Sequence, residues 1–237
     1  MKLKPGKERI LTISDLQAPF QHRDALDFLG ALKKEVNPTV VVCAGDEVDN
    51  HALSDYDHDP DGYSAGHELE KALEFMHDLY KLFPKVKAVT SNHTARPFRR
   101  AHKYGIPRAF LRDYKEFLQA PKGWEWRDKW IVDNILFEHG EGVSGKNAAL
   151  TKAERNGRSI VIGHVHSHAG VQYHATPEEL FFGMNTGCMI DNDAYAFAYG
   201  KHARYKPIIG TGIVMYGVPI FVPMILDKRG RWIGRLG

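Results

Sequence analysis

Cysteine is scarce in this chain, which has only Cys43 and Cys188 among its 237 residues. That excludes a disulfide framework, and with it any zinc knot built on cysteine. Long apolar runs are missing too. A stretch such as 220–226 is far too short to cross a bilayer. No signal-peptide pattern opens the sequence. Charge of one sign does not dominate, since a net of +3 makes no case for general nucleic-acid binding. Internal repeats, low-complexity tracts and interdomain linkers are likewise lacking. These absences point to a soluble cytoplasmic protein with no membrane partner. Its length suits one domain over 1–237, with a loose basic N-terminus at 1–8.

Histidine, in contrast, is plentiful, with thirteen residues. His22, His51, His58, His77 and His202 lie in polar or helical contexts and read as solvated. His93, His139, His164 and His166 differ because each ends or follows an apolar run that reads as a strand. They belong to five polar motifs: Asp15-Leu16-Gln17, Gly45-Asp46-Glu47-Val48-Asp49, Ser91-Asn92-His93-Thr94, His139-Gly140 and Gly163-His164-Val165-His166. The apolar runs before them are 10–13, 40–43, 86–89, 135–137 and 160–162. In an α/β sheet, the carboxyl ends of successive strands are where the ligand crevice lies.

The first part of the chain reads as repeating strand-loop-helix units. A strand at 9–14 precedes a helix at 23–36, which Asn37-Pro38 stops. A second strand covers 39–44, and the polar, turn-rich segment 51–65 reads as a loop insertion. Leu69, Leu73, Met76, Leu79 and Tyr80 mark an amphipathic helix ending near Pro84, and the third strand follows. Helices are expected at 97–103, 108–118 and 146–156. The end of the chain is strand-rich, with a hairpin around Tyr216-Gly217. Pro219 and Pro223 confine its second strand to a sheet edge. Parallel units followed by hairpins fit an α/β fold with two stacked sheets and helices outside.

Asp15, Asp46, Asn92, His139, His164 and His166 offer oxygen and imidazole donors, a mixture suited to zinc, manganese, iron and similar ions. Singly, an Asp after a strand is usually a turn or cap residue, and Gly-Asp and Asn-His are as ordinary. The joint occurrence, each at a strand end, favours metal. Two ions roughly 3.5–4 Å apart can clamp a phosphoryl group through attack and departure.

These motifs resemble those of the calcineurin-like metallophosphoesterases, whose pattern is D-x-H, G-D-x-x-D, G-N-H-[DE], a later His beside Gly, and G-H-x-H. The resemblance runs from Asp15 to His166 and implies an α/β/β/α sandwich of two mixed sheets. It also implies a dinuclear site with a bridging hydroxide. One ion would take Asp15, Gln17, Asp46 and His166; the other would take Asp46, Asn92, His139 and His164. His93 would be the general acid, with Asp49 orienting it and favouring its charged form. Gln17 stands where the family has His. Ser91 replaces Gly, Thr94 replaces the acidic residue, and Glu141 stands where many members have a second His. The three-oxygen, one-nitrogen site that Gln17 leaves is harder, which favours manganese or magnesium over zinc; Mn2+ is the ion expected, with Mg2+, Zn2+, Fe or Ni as alternatives.

After His93 the chain is basic, with Arg96, Arg99, Arg100, Lys103, Arg108, Arg112 and Lys115. Arg96, with Arg99 or Arg100, is a candidate to bind substrate phosphate. Phe98, Tyr104 and Phe110 interleave with this charge and could stack bases, although core packing is expected for the two phenylalanines. Trp124, Trp126 and Trp130, and the alternating Tyr195, Phe197 and Tyr199, read as core or interface. The expected activity is a phosphodiesterase or nuclease acting on nucleic acid or nucleotides. Its alternative is a phosphomonoesterase acting on nucleotides or proteins. A third reading, a binding protein that has lost turnover, rests on Gln17 alone. Segment 51–65, or a second subunit in a homo-oligomer, would complete an otherwise open site.

Overall fold

Strand alternation decides the architecture. In β1 (Arg9–Ile13), Ile10 and Leu11 are both fully buried yet belong to different apolar clusters, one on each face of the sheet. A strand buried on both faces reads as a continuous apolar run, and this is why the sequence located it. The computed structural model describes residues 3–55, 61–191, 193–194 and 206–236.

β1 runs parallel to β2 (Val40–Cys43), β2 to β3 (Lys85–Val89), and β3 to β4 (Gly123–Arg127). The second sheet holds β5 (Trp130–Val132), β6 (Ile135–Glu138), β7 (Ile160–Ile162), β8 (Ala169–Ala175) and β9 (Leu180–Thr186), in the order β5-β6-β7-β9-β8. There β6, β7 and β9 are parallel, and the outer strands antiparallel. β10 (Gly210–Met215) returns antiparallel to β1, and β11 (Val218–Pro223) closes the edge of the first sheet. The two prolines of β11 therefore sit on an edge strand, as expected. Tyr216 and Gly217, both at positive φ (52° and 89°), make the tight hairpin turn.

Three apolar clusters correspond to three layer contacts. Between the sheets, Ile10, Val42, Val89 and Val214 meet Phe137, Val161, Phe182 and Met184. Outside the first sheet, α1 (Ala25–Val36) and α2 (Ala65–Leu82) bring Phe28, Leu29, Leu32, Met76 and Leu79 onto Leu11, Ile13, Cys43 and Ala88. α3 (Arg96–Lys103) and α4 (Tyr114–Phe117) follow the end of β3. Outside the second sheet, α5 (Ala148–Asn156) lays Ala148, Ala149 and Ala153 on Leu136, Ile160 and Ile162. The result is the α/β/β/α sandwich. The indole N–H of Trp124 donates to Phe83 O and that of Trp130 to Ala88 O, both at 2.8 Å, so both rings are core as expected. Tyr195, Phe197 and Tyr199 lie outside the described residues.

Several expectations need correction. The helix expected at 108–118 is a single 3-10 turn (Arg108–Phe110) followed by the short α4. Leu111 is extended, and Asp113 starts afresh with a capping box: its carboxylate accepts from Glu116 N at 2.8 Å, and Glu116 accepts from Asp113 N at 3.2 Å. Asp113-x-x-Glu116 was the local signal for that break. Phe110, expected in the core, is 79% exposed. In segment 51–65, read as a loop, His51–Leu53 form a 3-10 turn held by the buried Glu68 carboxylate, which accepts from His51 N (2.6 Å) and Ala52 N (2.8 Å). Residues 6–8, expected to fray, donate to Tyr216 O and Asp133 Oδ2. His22 and His51, read as solvated, are buried. The ring of His22 contacts Gly230 O at 3.0 Å and accepts from Asp24 N at 3.1 Å.

Asp24 ties down the C-terminal segment by accepting from Arg231 Nε and from Trp232 N, each at 2.9 Å. The Arg231 guanidinium, bonded to this carboxylate, lowers its pKa from 3.8 to about 2. A depressed carboxylate contributes stability above its unfolded value, and that stability is lost as pH falls through the folded value. Asp24→Asn should therefore lower Tm at pH 7 by about 2–4 °C. The difference from the parent should shrink between pH 4 and pH 2. A constant difference across that window in thermal melts would refute the linkage.

Candidate metal centre

The five motifs converge because their strands are parallel and end on one side of the sandwich. β1 leads to Asp15 and Gln17, β2 to Asp46 and Asp49, and β3 to Asn92 and His93. In the second sheet β6 leads to His139, and β7 to His164 and His166. The backbone turns sharply at each exit. Asp15, Gln17, Asp46 and His164 all have positive φ, at 49°, 48°, 51° and 69°. Side chains other than glycine visit that region at a cost, and such residues concentrate at functional sites.

Close approach also explains two glycines. A Cβ on Gly45, itself at φ +100°, would stand 2.6 Å from Ser91 Cβ and 2.8 Å from His139 Nδ1. A Cβ on Gly163 would collide with Ser14 Oγ and the Asp15 carboxylate. Both glycines let two motif loops touch.

Seven expected residues stand together. Asp46 Oδ2 lies 3.1 Å from His139 Nε2, which is 2.8 Å from Asn92 Oδ1 and 3.2 Å from His164 Nδ1. On the other flank, His166 Nε2 is 3.0 Å from Asp15 Oδ1 and 3.3 Å from Gln17 Nε2. Two donor triads result, Asp46/His139/His164 and Asp15/Asp46/His166, each with its ligand atoms within 4.8 Å of one another. Asp46 belongs to both.

A shell of backbone and hydroxyl groups fixes these side chains. His139 Nδ1 lies 2.8 Å from Ala44 O, so it carries the proton and leaves Nε2 facing the cluster. Ser91 Oγ accepts from Asp46 N at 2.8 Å, and the Ser14 hydroxyl donates to Asp15. His164 N donates to the Asp15 carboxylate at 3.0 Å. Ser14, beside Asp15, and Ser91 and Glu47, inside the motifs, thus support the cluster although no role was expected of them.

Burial and charge compete here. Burial works against ionising Asp46, but the charges of His139 and His93 win and hold it well below the usual carboxylate range. Burial disfavours a charged His139, yet the Asp46 carboxylate pushes it up to about 10. His164, desolvated and facing the positive His139, moves down. Glu47, fully buried and bonded to Trp126 Nε1 at 2.7 Å, is raised by burial to about 7.

His93 occupies the edge of the cluster. Its backbone N donates to Asp46 Oδ1 at 3.0 Å, its Nδ1 is 3.0 Å from Asp49 Oδ1, and its Nε2 is 3.8 Å from Asp46 Oδ2. Burial opposes its charge, but Asp46 and Asp49 prevail and raise its pKa. Arg96 is buried beside it, donating to Asp49 Oδ1 at 2.6 Å, with Nη2 3.3 Å from His93 Nε2. The other two arginines do not join them. Arg99 is exposed, and Arg100, expected to reach phosphate, instead donates to Leu53 O (2.7 Å) and Ser54 O and pairs with Asp55. That correction reflects a partner about 47 residues away that a charge count cannot reveal.

No curated protein matches the chain by sequence. Among solved structures, vacuolar protein sorting 29 from Cryptosporidium parvum is similar with a TM-score of 0.47 at 15% identity, covering 97% of this chain and 94% of that one. Chaetomium thermophilum Vps29 gives 0.44 at 14% identity, with coverages of 98% and 92%. YfcE, a phosphoesterase from E. coli, gives 0.43 at 15%, with 95% and 96%. A family model for calcineurin-like phosphoesterases matches residues 8–196. The match begins just before β1 and continues past His166, so it takes in every strand end that feeds the cluster, and the chain belongs to the calcineurin-like phosphoesterase family.

Proposed function

We propose that the chain is a metal-dependent phosphodiesterase acting on nucleic acid or nucleotides. One observation carries this reading: two donor triads share the buried carboxylate of Asp46. A shared carboxylate suits the short ion separation that phosphoryl transfer uses. The donor chemistry fits divalent ions, being carboxylate, carboxamide and imidazole with no thiolate. Gln17 adds an independent sign. Its Oε1 is buried with no hydrogen-bond partner among the described residues while its Nε2 faces His166, and with the amide turned over a cation held by Asp15, Asp46 and His166 would satisfy the oxygen. Asp15, Gln17, Asp46 and His166 would hold one ion; Asp46, Asn92, His139 and His164 would hold the other. Three oxygens and one nitrogen in the first set favour manganese or magnesium over zinc, and Mn2+ is the ion we expect.

When bound, the ions supply charge neutralisation at the phosphate and an activated water. The protein supplies the rest. Asn92 and Ala44 O fix the His139 ring, and Asp46 stands in both donor triads. His93, whose Nδ1 lies 3.0 Å from the Asp49 carboxylate, would donate its Nε2 proton to the departing oxygen. Asp49 holds the other ring nitrogen, and Arg96, bonded to the same carboxylate at 2.6 Å, brings a second positive charge to the side of the site where the phosphate would lie. The basic stretch after His93 favours a polyanionic diester over a small monoester.

Metal analysis and paired assays test the reading. Two ions per chain and faster turnover of bis(4-nitrophenyl) phosphate than of 4-nitrophenyl phosphate are expected. The opposite preference would make it a monoesterase, and full loading with no turnover of either ester would make it a binding protein. Gln17→His should raise zinc affinity about tenfold or more by replacing a carboxamide with imidazole. Competition titration against a chromogenic chelator reads this, and an unchanged metal preference would remove Gln17 from the ligand set.

A further inference from the structure

Residues 102–110 are exposed one after another, and two large aromatic side chains stand among them, Tyr104 at 72% and Phe110 at 79% exposure. Aromatic surface of that extent is usually buried or used. The surrounding chain carries no acid: residues 79–112 contain neither Asp nor Glu. Arg99, Arg108 and Arg112 are exposed here, whereas Arg100 and Lys103 are engaged by Asp55.

Between this ridge and the metal centre lies an open groove of about 310 Å³, with Ser91, Phe98, Arg108 and Tyr114 in its walls. Its inner wall touches the centre, because Ser91 Oγ accepts from Asp46 N at 2.8 Å. Its outer wall is aromatic: the Arg108 guanidinium sits 3.8 Å from the centre of the Phe98 ring, and Tyr114 lies nearly parallel to Trp126 (16°). Asp128 and Glu141 also line the groove and add acceptors suited to base N–H groups rather than phosphate.

We infer that the groove and ridge form a track for single-stranded nucleic acid, with one base in the groove and flanking bases stacked on Tyr104 and Phe110. The inference rests on the phosphodiesterase reading and narrows its substrate. Exposed flat rings interleaved with arginines match a polyanion whose base faces are free, and a duplex keeps those faces stacked. A second copy of the chain fits less well, because a two-fold contact would set Arg99, Arg108 and Arg112 against themselves.

Fluorescence anisotropy on the manganese-supplemented protein, with a phosphorothioate-linked strand that is slow to cleave, tests this. The single strand should bind about tenfold or more tightly than a duplex of the same length. Tyr104→Ala with Phe110→Ala should weaken it about tenfold or more, and Tyr104→Trp with Phe110→Trp should restore it. Arg108→Gln should reduce the salt slope of binding by about one. Equal affinity for strand and duplex overturns the inference, as does an alanine pair that binds like the parent. A pair that only converts a dimer to a monomer also overturns it, by assigning the ridge to a second copy. Hydrolysis of bis(4-nitrophenyl) phosphate by the parent protein is read separately and reports on the site alone.

Discussion

Asp46→Asn is expected to empty both ion positions and to cut diester hydrolysis by at least about 10³-fold, roughly 4 kcal/mol of transition-state stabilisation. The size follows from position, because the carboxylate belongs to both donor triads and no other side chain does. Loss of Asp15 or His164 would weaken one triad and leave three donors of the other. The asparagine keeps the shape and removes the charge, so His139 and His93 lose the largest of the charges that raise their pKa values, and both shift toward the neutral form. Neutral imidazoles are tolerable in the interior, and the fold should survive. Elemental analysis beside a rate measurement checks this, and a variant that retains two ions would show that Asp46 is not shared.

His93→Ala should behave differently: ion content unchanged and kcat lower by about 10²–10⁴-fold on an alkyl or nucleoside diester. The defect should shrink on nitrophenyl esters, whose leaving group departs without a proton. A uniform loss across both substrate types would point to a structural role for His93. Asp49→Asn refines the assignment through pH. The rate should fall as pH rises through the raised pKa of His93, because the acid form is consumed. Removing the Asp49 charge lowers that pKa, so the fall should begin at lower pH. Arg96 would lose its ion-pair partner in the same variant, and its Tm must be followed alongside the profile. A limb that does not move separates Asp49 from the proton donor.

The layers and the centre were legible in the sequence for a common reason. Parallel strands buried on both faces read as bare apolar runs, and the donors lie within a few residues of where the runs stop. Asp15, Asp46, Asn92, His139 and His164 could be found by local inspection. Their division between two ions was implied by the family resemblance rather than read from spacing. What could not be read depended on distant partners. Arg100 looked like a phosphate ligand until Leu53, Ser54 and Asp55 claimed it. His22 looked solvated because Gly230, 208 residues away, is invisible from its neighbourhood. Phe110 erred the other way: an apolar residue in a basic stretch suggests a core anchor, and nothing local says that no core lies beneath it. The Asp113 capping box, by contrast, was visible and would have split the expected helix.

The pairing of His139 with Asp46 has a final consequence. Without an ion, the imidazole stays protonated up to about pH 10, so a proton occupies the electrostatic role a cation would take. Loading is then an exchange of a proton for a cation in a pre-balanced cavity, and acidification should release the ion. Calorimetry in buffers of differing ionisation heat would register the departing proton, and identical heats in all of them would contradict the exchange.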